Sequence, residues 1–380
     1  MDFELTQDQK AARDFAREAA EREIRPKAIE IDRDHAIPDS VIKKISELGF
    51  LGSYFPAEYS GAGLDFLSYA LIIEEISKVC GSTGVLISAH TSLGCAPVFQ
   101  FGSEDQKKKF LDPMARGEKI GCFLLTEPGS GSDVSSLSTT YVKEKGQFRI
   151  NGSKNFITNG GFKGTGILFA TYNRKLKHKG ISAFIVDLNS KGVEILKNED
   201  KMGIRGSYTT AFAFDDLMVP EDCLLGAEGE GFHIAMETLN GGRIGIAAQA
   251  LGIAGGAFER ARDYSLQRQQ FGRPIADFQA IQFKLAEMAM KIETGRLLTY
   301  KAAWQKDQKK DHTLTSAMAK AYTSKSAVSV TDEALQIHGG YGYIVDYEVE
   351  RMFRDAKITE IYEGTNEIQK LVIAKELLKK

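Results

Sequence analysis

Glu363 stands in the segment Ile361-Tyr362-Glu363-Gly364-Thr365-Asn366-Glu367, a carboxylate between an aromatic ring and a glycine just ahead of a helical stretch. A carboxylate in such a place can serve as a general base if its pKa is tuned and the atom it deprotonates lies within hydrogen-bond reach. Tyr362 offers apolar cover and Gly364 offers room. The same residues also read as a helix start, with Thr365 or Asn366 as the cap and Glu363 near the positive end of the dipole. Taken by itself, the segment favours the helix start.

Other candidates for chemistry lie far from it in sequence. Gly129-Ser130-Gly131-Ser132-Asp133 could cradle a phosphate or a ring edge with backbone amides, although it lacks the G-x-G-x-x-G pattern. Gly339-Gly340-Tyr341-Gly342 permits close backbone approach and equally reads as a helix end followed by a turn, with His338 beside it in a structural role. Arg268 and Arg273, flanking Phe271-Gly272, could clamp a pyrophosphate or simply complement a helix end. There is no H-E-x-x-H, no Walker loop and no Ser/His/Asp spacing to prefer, so hydrolase and NTPase chemistry lack support.

Composition narrows the field further. The 380 residues are 43% hydrophobic, enough for two or three subdomains of a soluble globular protein. With 49 basic against 51 acidic residues, no net field draws the chain to nucleic acid or to an anionic membrane. Cys80, Cys95, Cys122 and Cys223 are widely spaced, which argues against zinc or any other metal and against a disulfide framework, and fits a reducing, cytoplasmic compartment. The acidic start Met1-Asp2-Phe3-Glu4 is unlike a secretory signal. Residues 79–103 carry no formal charge but are interrupted by glycine, hydroxyl side chains and Pro97, so they read as buried helix rather than a membrane span.

The elements that must hold these residues follow from proline usage and period. No proline occurs after Pro274, and apolar residues recur at helical spacing through Ala247, Leu251, Ala254 and Phe258, then Ile281, Leu285, Met288 and Ile292. Each of these helices is expected to carry one apolar stripe, buried in an antiparallel bundle. Residues before about 112 also read helical. Between them, 148–151, 166–172 and 181–186 are short β-branched or aromatic runs bounded by turn residues. The predicted fold is mainly α with a central β domain: an N-terminal helical domain (1–115), an antiparallel, barrel-like β domain (116–225) and a C-terminal four-helix bundle (226–380). The helix, sheet, helix order excludes a doubly wound sheet.

Over essentially its whole length the chain resembles the acyl-CoA dehydrogenase family. Leu125-Thr126-Glu127-Pro128-Gly129-Ser130-Gly131-Ser132-Asp133 is similar to that family's first motif. Its second is matched by Gln336-Ile337-His338-Gly339-Gly340-Tyr341-Gly342-Tyr343, with Asp346, Arg351 and Asp355 in register. Asn155-Phe156-Ile157-Thr158-Asn159-Gly160-Gly161, Arg268-Gln269-Gln270-Phe271-Gly272 and Tyr362-Glu363-Gly364-Thr365 follow in the family's order. Residues 88–94 and 242–252 look most like the short-chain, butyryl-CoA branch.

The resemblance implies FAD between the last two domains, reaching across a subunit interface of a homotetramer. It implies Glu363 as the base that takes the α-proton of an acyl-CoA thioester while the flavin accepts the β-hydride, with electrons passed to an electron-transferring flavoprotein. Phe123, Leu125, Thr126, Ser132, Phe156, Ile157 and Thr158 would line the flavin ring. Arg268, Phe271, Gln279, Gln336, Gly339 and Gly340 would meet its diphosphate and adenosine, and Thr365 and Glu367 would close the site. Ser132, Asn240, Arg243, Tyr362 and Gly364 would face the substrate, although Arg243 could equally be a buried ion-pair partner. The sequence departs from the family's pattern at Asn240, where aspartate is usual, at Leu124, normally small, and at Phe156, a tryptophan in medium-chain relatives. Branched, cyclic or dicarboxylic thioesters remain open as substrates, as does a non-catalytic flavin or acyl-CoA binder of the same fold.

Overall fold

The structure is a computed structural model that describes residues 3–379. The chain begins with helix α1 (Gln7–Ala19), started by a capping box in which Thr6 and Gln9 satisfy each other's backbone amides. Helix α2 (Phe66–Val79) is capped by Asp65 and buried on nearly every face. Helix α3 (Gly81–Ala89) continues through a wider π-type stretch at His90–Cys95, so the uncharged segment is helical and buried as far as Val98, while Gln100 and Ser103 are exposed. His90 is held at both ring nitrogens. Its Nδ1 accepts from Gly121 N–H at 2.8 Å, which leaves Nε2–H to donate to the Met114 carbonyl at 3.1 Å.

Strands β1 (Gly121–Leu124), β2 (Thr140–Glu144), β3 (Gln147–Thr158), β4 (Thr165–Thr171), β5 (Ile181–Asp187), β6 (Val193–Asn198), β7 (Thr209–Pro220) and β8 (Leu224–Leu225) form one sheet. Its order is β6-β7-β3-β2-β4-β5-β8, with β1 also on β4. The barrel-like expectation is corrected here in two ways. The sheet is open, because β6 and β8 end as separate edges, and it is mixed, because β1 and β2 both pair with β4 in parallel. The basic run Arg174–Gly180 is the solvated connection between β4 and β5.

Strand β3 carries register shifts between Ile150 and Gly152 and between Lys154 and Ile157. A bulge re-aims the side chains that follow it. Here Lys154 and Ile157 are buried, and Phe156, at φ 57°, is 59% exposed.

The C-terminal domain is built on helix α4 (Gly231–Gln267), 37 residues long. A single apolar stripe was the expectation for it, yet every residue from Gly241 to Ala257 is buried. The reason is position. N-terminal α2 and α3 pack on one flank of α4, while helices α5 (Gln279–Asp307) and α6 (Thr313–His338) pack on the other. Gly252 and Gly256 let α2 approach closely, since a Cβ at either would lie 2.2 Å from the Glu74 or Lys78 carbonyl oxygen. Helix α5 also reaches α2, where Arg296 and Tyr300 donate to the buried Glu74 carboxylate at 3.0 and 2.8 Å.

Helix α7 (Val349–Ile358) joins all three domains. Arg354 donates to both Asp32 carboxylate oxygens, at 3.0 and 2.6 Å, and to the Met202 carbonyl at 3.0 Å. Asp355 accepts from the Ile204 amide at 2.5 Å, and Arg351 donates to the Val79 carbonyl at 3.2 Å. After α7 comes the turn that carries Glu363, then helix α8 (Asn366–Leu377), laid against α6.

Because Arg354 and Asp32 are each about one-sixth exposed or less, removing the guanidinium strands a carboxylate. Arg354→Ala should lower unfolding stability by about 3 kcal/mol in urea titration, as breaking a largely buried pair does.

Candidate active site

Two consecutive residues of the turn after α7, Glu363 at φ 50° and Gly364 at φ 88°, adopt left-handed backbone conformations. Several donors hold it. Gln369, one turn into α8, donates to the carbonyls of Glu363 and Gly364 at 3.2 and 2.8 Å. Lys320 of α6 donates to the Gly364 carbonyl at 2.8 Å and to Asn366 Oδ1 at 3.1 Å. Thr365 caps α8 by accepting from Ile368 N–H at 3.3 Å. The helix-start reading therefore holds for Thr365, and Glu367 is the exposed first-turn acid. Glu363 lies ahead of the cap and turns inward.

The Glu363 carboxylate is in an unusual state for a charged group. Its Oε2 is sealed from solvent and accepts no hydrogen bond. It lies against α4 at Gly242, where an added Cβ would come within 2.1 Å of Oε2, so any other residue there would expel the carboxylate. Burial pushes its pKa up to about 8, against the opposing pull of Lys320 and Arg243. Arg243 is itself buried. Its Nη1 donates to Asn240 Oδ1 at 2.5 Å while its Nε finds no partner, and burial lowers its pKa. Tyr362 donates its hydroxyl to Gln249 of α4, whose amide is fixed by the Gly81 carbonyl at 3.0 Å. One turn beyond Gly242, Tyr69 of α2 and Ser88 of α3 hydrogen-bond at 3.3 Å beneath Gly245.

The remaining predicted residues fall into two further groups, and no direct hydrogen bond among the described residues joins the three. On the β domain, Phe123 is half-buried edge-on to Phe169, and Leu125 and Ile157 are buried in apolar cores. Phe156 and Thr158 lie on the open side of β3, with Thr126 alongside, since its carbonyl accepts from Asn155 N–H at 2.8 Å. Ser132 is exposed on a loop closed by Ser130, which donates to the Asp133 carbonyl at 2.6 Å.

The third group surrounds a cleft of about 510 Å³ lined by Arg268, Gln270, His338, Gly339, Gly340 and Tyr341, among others. Arg268 sits 5.4 Å over the Tyr341 ring. His338 donates Nδ1–H to the Ala334 carbonyl and stacks on Tyr264 at 4.3 Å, a structural role as expected. Gln336 and Gln279 are exposed outside this cleft, and Phe271 is 93% exposed at the tip of a small hairpin.

Two buried cations escaped the sequence reading. Lys154 donates to Glu127 at 2.7 Å and to the Leu125 carbonyl at 3.1 Å, pinning the Leu125–Glu127 segment to β3. Burial opposes both charges, but Lys154 and donors from Ser138 and Thr139 hold Glu127 down at about 2. Both lysines had a signal in their spacing. Lys154 falls in phase with the inward Phe148 and Ile150 of a strand, and Lys320 in phase with the buried Ala317, Ser324 and Ala327 of a helix.

Family models describing the N-terminal, middle and C-terminal domains of acyl-CoA dehydrogenase match residues 6–118, 122–217 and 229–378. The chain belongs to the acyl-CoA dehydrogenase family. A short-chain specific acyl-CoA dehydrogenase of Clostridium acetobutylicum is 51% identical over 379 residues, covering 100% of both chains. The mitochondrial short-chain specific enzyme of Mus musculus is 48% identical, over 99% of this chain and 91% of its own. Among solved structures, butyryl-CoA dehydrogenase from Megasphaera elsdenii superposes with a TM-score of 0.98 at 46% identity, covering 100% of both chains. A chain in a structure described as the electron transferring flavoprotein of Acidaminococcus fermentans does so at 0.99 and 50%, again over 100% of both. The fold of this acyl-CoA dehydrogenase family member is therefore that of its relatives from end to end.

A carboxyl group with its folded pKa raised to about 8 keeps a proton that the unfolded chain gives up near 4.5. The folded state binds the extra proton between those values, so stability falls as pH rises through that window and levels off above it. Thermal unfolding of Glu363→Gln should lack this component, with its gain in melting temperature over wild type larger at pH 9 than at pH 5.

Proposed function

We propose that the chain is an FAD-dependent short-chain acyl-CoA dehydrogenase that converts an acyl-CoA to its trans-2-enoyl-CoA and passes electrons to an electron-transferring flavoprotein. The observation that carries the base assignment is Glu363 Oε2, sealed from solvent and without a hydrogen-bond donor, on a turn shaped for it. Its relatives' names supply the substrate class and the electron-transfer partner.

The residues present fit a flavin dinucleotide. Phe156 and Phe271 expose large apolar rings, which a covering group would bury, and Gly339 and Gly340 leave open space with no atom within 4 Å of an added Cβ. Phe123, Leu125, Thr126, Ser132, Phe156, Ile157 and Thr158 would hold the ring portion, with Leu125 and Ile157 offering backbone groups since their side chains lie in cores. Arg268, Phe271, Gln279, Gln336, Gly339 and Gly340 would hold the diphosphate and adenosine, and Thr365 and Glu367 close the end. When bound, the flavin supplies the two-electron acceptor for the β-hydride.

The chain's own residues do the rest. Glu363 takes the α-proton, and its backbone N–H donates to the thioester carbonyl oxygen, where negative charge develops. A raised pKa suits a base that must pull a weakly acidic proton, because burial favours its protonated product. Tyr362, Gly364 and Ser132 would shape the acyl side of the cavity, and Asn240 and Arg243 would meet the CoA portion.

Exposed Phe271, Phe283, Met290, Leu297 and Leu371 on the hairpin, α5 and α8 support self-association, which we assign as a homotetramer. Four free, buried cysteines support a reducing, cytoplasmic setting. Among the described residues no helix is long and apolar enough to cross a membrane.

Purified protein should be yellow and bleach on anaerobic addition of butyryl-CoA, faster than with branched or dicarboxylic acyl-CoAs. Glu363→Gln should bind FAD and ligand without bleaching. Retained bleaching in that variant would remove Glu363 from its role, and no bleaching of wild type by any thioester would leave a binding protein.

A further inference from the structure

Lys320 is fully buried in the N-terminal third of α6. Burying an ammonium is costly unless acceptors or an opposite charge replace the water. Yet the ammonium does not bind a carboxylate. It donates to the Gly364 carbonyl at 2.8 Å and to Asn366 Oδ1 at 3.1 Å, which leaves one of its three N–H donors without an acceptor among the described residues. Asn366 is steadied in turn by Ser324, which donates to the same Oδ1 at 3.1 Å.

The contacts place the cation at the back of the turn whose front is the Glu363 side chain. The Gly364 carbonyl takes two donors, Lys320 from α6 and Gln369 from α8. A non-glycine residue held left-handed, as Glu363 is, costs about 1 kcal/mol or more and persists only where its surroundings impose it. Releasing one of those donors would let the turn relax and lift the carboxylate off Gly242.

We propose that Lys320 is the positioning residue of the base: it pins the left-handed Glu363–Gly364 turn and supplies the cation against which the carboxylate becomes charged. It acts through the turn and through space, without touching substrate.

The groups facing this pair are few. Glu363 faces Lys320 of α6 and Arg243 of α4. Its charge also reaches Tyr69 of α2 and its neighbour Tyr362. Lys320 faces Glu363 and Glu360 of the turn, Glu367 of α8 and Arg243. Arg243 already gives an N–H to Asn240, so Lys320 is the cation tied to the turn itself. Burial lowers Lys320 to about 8 and raises Glu363 to about 8, while the charge of each favours the charged form of the other.

The proposal rests on Glu363 being the base, and its test is read without turnover. The infrared band of protonated Glu363, defined by subtraction of the Glu363→Gln spectrum, is titrated in flavin-loaded, substrate-free enzyme. Lys320→Met should raise the midpoint by about one unit or more, a tenfold smaller ionised fraction at neutral pH. With butyryl-CoA, kcat should fall by about tenfold or more and recover in part at high pH, while KM changes by less than about threefold. Asn366→Asp keeps the packing and offers the ammonium a competing anion, so it too should raise the midpoint, and it decides the matter if Lys320→Met fails to fold or to retain flavin. A midpoint unmoved in every folded variant overturns the proposal, whatever happens to the rate. Failure of the base reading shows separately, as bleaching that survives in Glu363→Gln.

Discussion

A carboxylate oxygen sealed from water with nothing donating to it is the constraint on which the rest of this structure depends. Left to itself, a carboxylate in the Glu363 position would swing toward solvent or recruit an arginine, and either would end its usefulness in the proposed role of base. The fold prevents both. Gly242 clears the space that Oε2 occupies, Asn240 engages the Arg243 guanidinium, and Gln369 and Lys320 hold the turn's carbonyls from behind. These residues come from three separate helices, so the state of one carboxyl group reports on the assembly of α4, α6 and α8 together.

The bolt that makes this assembly rigid is α7. Its arginines and aspartate reach Asp32 and Val79 in the N-terminal domain and Met202 and Ile204 in the β domain. The chain then runs directly into the Thr359–Gly364 turn. The proposed base is thus anchored eight residues beyond Asp355, where three domains meet, and an error in domain packing would reach Glu363 through that short stretch.

Much of this was legible in the sequence, and the parts that were not share a cause. Periodicity gave the order of helical, β and helical domains, and turn chemistry gave Thr365 or Asn366 as a cap, of which the structure uses Thr365. Sheet closure was not legible, because whether β6 meets β8 is a matter of register and edge geometry that short apolar runs do not encode. The burial of α4 on all sides was missed because a stripe read from one segment cannot show that two domains share it. Lys154 and Lys320 were passed over for the opposite reason. A lysine in an apolar register looks like noise until the acceptor, 27 or 44 residues away, is in place. Even Glu363 drew its meaning from distant motifs rather than from Tyr362 and Gly364 beside it.

The long helix α4 carries a further implication. Residues 241–257 are sheathed by the N-terminal domain on one flank and the C-terminal domain on the other, with backbone-close contacts at Gly252 and Gly256. Such a shared spine leaves no hinge between the two helical domains, so the catalytic cavity cannot be gated by their opening and closing as in clamshell enzymes. It also makes them one cooperative unit of unfolding. A protease cut in either helical domain would strip the apolar cover from the other, and neither would survive as an independently folded half.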